Sequence, residues 1–118
     1  MVLLKLESRQ WIVDNHGDII IGEGRKEILE HIEKTGSMNQ TAKLMKMSYK
    51  GVWSKIKATE KYLKIRVVYT DRQKGTHLTK EGKQLLEKYR LLKKRCLKED
   101  NRIFNSIFDQ EKSLKEGG

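Results

Sequence analysis

Lys50, Ser54, Lys57 and Lys61 recur at spacings of four, three and four residues, a pattern that collects them on one side of a helix. With about 100° per residue and Val52 taken as zero, they fall at about 160°, 200°, 140° and 180°, whereas Val52, Ile56 and Leu63 fall at about 0°, 40° and 20°. One face of this helix packs, and the opposite face carries ammonium groups and a hydroxyl. Such a face can hold a polyanion and donate hydrogen bonds to base edges, because a major groove admits one α-helix. Ser48, Tyr49 and Lys50 lead the segment, at the end where base edges are usually met. Tyr49, at about 60° on the same wheel, borders the packed side and suits a core position as well as a contact. A second cationic group, Arg72 and Lys74, sits in the polar stretch Thr70–Thr76. It reads either as a phosphate or minor-groove contact or as an ordinary surface turn.

Other chemistries find less support. Asp14 and Asp18 flank His16, and Glu27, Glu30 and His31 lie close together, but no Gly-rich phosphate loop or Ser/His/Asp order accompanies them. No enzymatic activity is expected. Cys96 is the single cysteine, so an internal disulfide is impossible, and neither a Cys-x-x-Cys pair nor a His cluster offers metal spacing. No metal or cofactor is expected. The longest apolar stretch, Met1 to Leu4, is far too short to span a bilayer or form a secretory signal. The protein is expected to be soluble and cytoplasmic, without a membrane partner.

The 118 residues suffice for one domain. With 36% apolar and 36% charged residues its core must be modest. Residues 43 to 95 carry seventeen Lys/Arg against four Asp/Glu, more than the whole formal net charge of +10. The flanking segments are slightly acidic. This concentration is the footprint of a surface facing a polyanion, although a solvated lysine-rich face would give the same count.

Those side chains need elements to carry them. Residues 2 to 13 alternate loosely, Asp14 to Asp18 supply turn chemistry and Ile19-Ile20-Ile21 is a β-branched run, which together predict a β-hairpin. Ile28, Leu29 and Ile32 predict a first helix over about 25–35, stopped by Thr35-Gly36. Ser37 followed by Gln40 is a capping-box signature, which opens a second helix over about 38–45. Lys46-Met47-Ser48 serves as a three-residue turn, with Ser48 capping a third helix over about 49–63. Two short helices so joined, over about 37–63, form a helix-turn-helix with the third helix as reader. The binding surface is expected to include Ser37, Gln40 and Thr41 on the second helix. Residues 65–78 read as a second hairpin, which in this position is a wing.

Thr79-x-x-Gly82 then opens a long helix over about 79–112. Leu85, Tyr89, Leu92 and Cys96 form a heptad-like seam that loses register at Glu99 and resumes with Ile103, Phe104, Ile107 and Phe108. Two apolar stripes on so small a protein favour a homodimer, with Cys96 as a packed thiol. The competing reading folds the far end of this helix back onto its own subunit. The fold expected is a single α+β domain, mainly helical: a winged helix-turn-helix with an N-terminal β-hairpin and a long C-terminal dimerisation helix.

Several short segments occur together in an order that resembles a known family. They are Leu3-Leu4-Lys5-Leu6, Gly24-Arg25, Thr35-Gly36-Ser37, Ala42-Lys43, Met47 to Trp53 and Leu78-Thr79-Lys80-Glu81-Gly82. Over roughly residues 2–95 the chain resembles the N-terminal DNA-binding domain of the molybdenum-dependent transcriptional regulator (ModE) family, related to that of LysR-type regulators. Ser48-Tyr49-Lys50 followed by Trp53 is the most specific part of the likeness. The resemblance implies a dimeric regulator bound to double-stranded DNA, with the N-terminal hairpin and the long helix building the dimer. A homodimer would address an inverted repeat. Family members that sense molybdate usually carry appended oxyanion-binding domains, and none is read in this chain. Its wing also replaces a frequent run of glycines with Asp71-Arg72-Gln73-Lys74-Gly75, and Lys46 stands where the turn commonly has glycine. The alternative function is a dimeric interaction or adaptor module whose basic surface has no specific DNA site.

Overall fold

In the computed structural model, which describes residues 2–108, the chain forms β1 (Ile12–Val13), β2 (Ile19–Ile21), α1 (Glu23–Thr35), α2 (Met38–Met45), α3 (Tyr49–Leu63), β3 (Val68–Asp71), β4 (Gly75–Leu78) and α4 (Lys80–Phe108). Both α2 and α3 cover the residues expected of them, and their caps explain why. Ser37 Oγ accepts from the Gln40 amide at 3.1 Å and Ser48 Oγ accepts from the Gly51 amide at 2.9 Å, each satisfying a first-turn donor. Between them Lys46 takes the left-handed conformation, φ 55° and ψ 42°, which costs a non-glycine residue about 1–2 kcal/mol. The turn keeps its shape because the Met47 amide donates to Ala42 O at 3.0 Å.

The core gathers Ile20 and Ile21 of β2, Ile28, Leu29 and Ile32 of α1, Val52 and Ile56 of α3, and Val68 and Leu78 of the wing. From α4 only Leu86 and Tyr89 are fully buried hydrophobics. Thr59 Oγ1, itself buried, donates to Ile20 O at 2.7 Å and so fastens α3 to β2.

The wing is an antiparallel pair running from Val68 opposite Leu78 to Asp71 opposite Gly75. Two contacts aim it. At its root the buried Glu60 carboxylate accepts from the Val67 amide at 2.8 Å and reaches the Val68 amide at 3.4 Å. At its far strand the Thr76 amide donates to Gly36 O at 3.0 Å, tying β4 to the α1–α2 turn. Gly75 permits this approach, because its φ is +89° and a Cβ there would lie 2.3 Å from Gly36 O. α4 starts on a cap in which Thr79 Oγ1 accepts from the Gly82 amide at 3.0 Å. A Cβ on Gly82 would meet Val67 O at 2.1 Å, so only glycine lets the helix seat against the wing root.

Two expectations need correction. The N-terminal hairpin is much shorter than its sequence pattern, with only Ile12–Val13 paired to β2 and a register irregularity between them. Residues 2–11 form no strand, although Leu4 and Leu6 alternate, because no partner strand lies opposite them. α1 begins at Glu23 rather than Arg25, since Gly24 falls in the first turn, where helix propensity matters least. The last residues expected in the long helix, 109–112, lie outside the described residues.

Candidate nucleic-acid interface

α3 presents its two faces as the helical wheel requires. Val52 and Ile56 are buried, and Lys50, Ser54, Lys57 and Lys61 are exposed on the opposite side. Ser48 is exposed with its oxygen engaged at Gly51, which leaves the hydroxyl hydrogen free to donate outward. Tyr49 is 50% exposed and meets Trp53 edge-on, with ring centroids 6.4 Å apart. The ring therefore flanks the polar face of α3 and is absent from the core. Trp53 itself is half-buried against the core, and the Lys57 ammonium sits 5.4 Å from its ring centroid. That ammonium also lies 3.5 Å from Glu60 Oε1, so Lys57 is the most constrained of the four polar side chains.

At the start of α2, Gln40 is exposed and Ser37 half-buried, its Oγ engaged at the Gln40 amide. Thr41 differs from the expectation. Its side chain is 0% exposed and Oγ1 donates to Ser37 O at 2.8 Å, which makes it an internal brace of α2 with no surface to offer a ligand. Arg72 and Lys74 are exposed at the wing tip, where Asp71 Oδ1 accepts from the Gln73 amide at 2.8 Å and the Lys74 amide at 3.2 Å. The carboxylate stiffens the turn that presents them.

Sequence reasoning passed over several contributors. Lys64 and Arg66 extend the cationic surface past the end of α3 and, with Lys57 and Lys61, line a shallow groove around Glu60. The density of Lys and Arg between 55 and 66 was the available signal. Glu60 gave none, because a lone acid among lysines reads as a surface ion-pair partner rather than as the buried anchor of the wing.

The residues assigned to the dimer seam divide. Tyr89 is 1% exposed and its hydroxyl donates to Gln10 O at 2.6 Å, so it belongs to its own subunit's core and cannot form the seam. Leu85 packs partly against the same core. Farther out, Leu92 is exposed, Cys96 is half-buried, and Ile103, Ile107 and Phe108 are exposed, with Phe104 stacked on Phe108 at 4.8 Å. The helix runs unbroken to Phe108, which rules out the folded-back alternative within the described residues.

No helix among the described residues is long and apolar enough to cross a membrane, and no group of three His, Cys, Asp or Glu there could hold a metal ion.

Comparison with known proteins agrees with this geometry. The chain is 34% identical over 76 residues to the molybdenum transport protein ModE of Azotobacter vinelandii, covering 61% of this chain and 28% of the relative. It is 38% identical over 72 residues to the transcriptional regulator ModE of Yersinia pestis, covering 58% and 27%. The chain thus spans less than a third of the length of these curated relatives. Among solved structures, a crystal structure of a CbnR DNA-binding domain–DNA complex is 20% identical with a TM-score of 0.58, covering 71% of this chain and 97% of that one. The crystal structure of CbnR, a LysR family transcriptional regulator, is 20% identical with a TM-score of 0.56, covering 70% and 29%. Both share the fold. Residues 25–83, from the first turn of α1 through the wing to the seat of α4, match the bacterial regulatory helix-turn-helix proteins of the lysR family, and the chain belongs to that family.

Proposed function

We propose that this chain is a sequence-specific double-stranded DNA-binding transcriptional regulator, without enzymatic activity, that acts as a homodimer on an inverted repeat. The carrying observation is the exposed face of α3, where Lys50, Ser54, Lys57 and Lys61 stand opposite the buried Val52 and Ile56. The face is led by Ser48, Tyr49 and Lys50. α3 reads base edges, Ser37 and Gln40 hold the backbone at the start of α2, and Arg72 and Lys74 reach phosphates or the minor groove from the wing. The outer half of α4 pairs with its counterpart in a second copy. A molybdenum-related regulon is supported by the names of the two curated relatives.

The test is an anisotropy titration against DNA selected from a random pool and against scrambled duplex, at two salt concentrations. Binding of both should weaken steeply with salt, by about 0.9 log units of affinity per log unit of salt for each phosphate neutralised. The selected sequence should bind at least about a thousandfold tighter than the scrambled one. Flat salt dependence with no preferred sequence would support an adaptor instead.

A further inference from the structure

Away from the reading face, the N-terminal arm crosses the start of α1 and leaves a cleft of about 340 Å³ between itself, α1, the α2–α3 turn and α3. That volume is within the usual range of small-molecule sites. Its apolar wall includes Trp11, Met45 and Met47, and its cations are Arg9, Arg25 and Lys55. None of these three has a carboxylate within ion-pair distance among the described residues.

Arg25 is the most informative. It is half-buried, and its Nη1 donates only to neutral oxygens: Ile19 O, Ile20 O at 3.4 Å and Thr59 Oγ1 at 3.2 Å. Burial pulls its pKa down from the ordinary guanidinium value, yet the group stays charged. The cleft's one carboxylate, Glu23, is already held by Lys93 at 2.6 Å and Lys26 at 3.1 Å. A net positive cleft with an apolar wall therefore lacks its anion.

DNA on the reading face is poorly placed to supply that anion. Lys55 falls at about 300° on the wheel where the reading residues span about 140–200°, so it leaves α3 on a different flank. We infer that this cleft is a binding site for a small organic anion with a flat apolar body, an aromatic carboxylate in class. The carboxylate lies among Arg9, Arg25 and Lys55, and the ring lies against Trp11 and the two methionines. The site is separate from the DNA-binding surface, but it touches the helix-turn-helix at Met47 and α3 at Lys55.

The test titrates 2-naphthoate, and separately its neutral amide 2-naphthamide, into the isotopically labelled full chain while amide resonances are followed. Saturable shifts should be confined to residues 9–11, 19–28, 45–47 and 55, with a dissociation constant below about 1 mM for the acid and at least about tenfold weaker binding for the amide. Lys55→Glu and Arg9→Glu, both at exposed positions, should each weaken the acid at least about fivefold with the rest of the spectrum unchanged. Equal binding of acid and amide, shifts spread over the outer half of α4, or undiminished affinity in both variants would overturn the inference. Competition between 2-naphthoate and duplex DNA that follows simple exclusion would also overturn it, because it would place these cations on the DNA surface.

Discussion

The two halves of α4 make opposite use of the same residue types. Leu86 and Tyr89, in its first three turns, are buried in a core shared with α1 and the wing. Ile103, Ile107 and Phe108, in its last turns, are exposed, Ile107 to 71%. Nothing in composition separates the segments; what differs is whether another part of the same chain lies opposite. Val2 and Leu3 of the N-terminal arm are also exposed, and the arm follows α4 outward, with the Tyr89 hydroxyl on Gln10 O and Ser8 Oγ donating to Asp100 Oδ2 at 2.9 Å. Apolar surface gathered at one end, beyond a satisfied core, is the surface that the proposed homodimer would cover.

The largest effect should come from the inner half. Tyr89→Ala removes a buried ring and its hydrogen bond, and should cost about 3–5 kcal/mol in urea unfolding. Ile107→Asp, on the outer half, should leave the stability of the separated subunit within about 0.5 kcal/mol of the wild type. Comparable losses from the two would erase the distinction between the halves.

Assembly should show the reverse order. Wild-type chain at micromolar concentration should sediment at about twice the chain mass, and Ile103→Asp with Ile107→Asp should sediment as a monomer. That monomer should lose about a hundredfold or more in affinity for an inverted repeat, because the second half-site is no longer bound intramolecularly. It should keep weak nonspecific binding. A wild-type monomer that binds one half-site tightly would remove the outer half from the interface.

How much of the structure is legible in the sequence follows the same division. α2 and α3 are legible to the residue because Ser37 and Ser48 cap them, and capping is a local chemistry written in the sequence. The two faces of α3 are legible because a 3.6-residue period is local as well. Periodicity misplaces Tyr89 in the seam because it says that a residue is covered without saying by which chain. Leu86, one residue away from Leu85, is the better buried of the two, a difference set by how α4 lands on the wing at Gly82. Thr41 misleads for a similar reason: a hydroxyl at a helix start can face a phosphate or brace its own turn, and only the packing decides. Neither Glu60 nor the Arg25 cleft can be found from spacing, since both depend on residues far apart in sequence.

Within α3 and the wing the proposed function predicts a finer contrast, between base contacts and backbone contacts. Lys50→Ala or Ser54→Ala should weaken specific binding by about 1–3 kcal/mol and leave nonspecific binding nearly unchanged. Arg72→Ala or Lys74→Ala should weaken both alike and lower the salt slope by about one for each phosphate no longer neutralised. Equal losses on both DNAs from Lys50→Ala would move that lysine to the backbone class.

The smallest effect concerns the joint between the two regions, where α1 and α4 are linked by charge. Lys93 pairs with Glu23 at 2.6 Å, Arg90 reaches Glu30 at 2.7 Å and Glu33 at 3.9 Å, and Lys26 lies between Glu23 at 3.1 Å and Glu30 at 3.4 Å. The hydrogen bond from Lys93 holds the Glu23 carboxyl below its ordinary pKa, and at Glu30 burial pushes upward but Arg90 and Lys26 outweigh it. Carboxyls with depressed folded values contribute stability that is fully present above the ordinary carboxylate range and is lost as pH falls through the folded values. These side chains are partly exposed, so screening limits each pair to about 0–1 kcal/mol. Glu30→Gln should therefore destabilise the domain by up to about 1 kcal/mol at pH 7 in urea unfolding, and by a diminishing amount as the buffer is taken below pH ~4, where the wild-type carboxylates protonate as well. Exchanging the charges, Glu30→Arg with Arg90→Glu, should recover part of what either single change loses. A penalty for Glu30→Gln that stayed constant down to pH ~3 would mean that packing of the side chain, rather than its charge, holds α4 to α1.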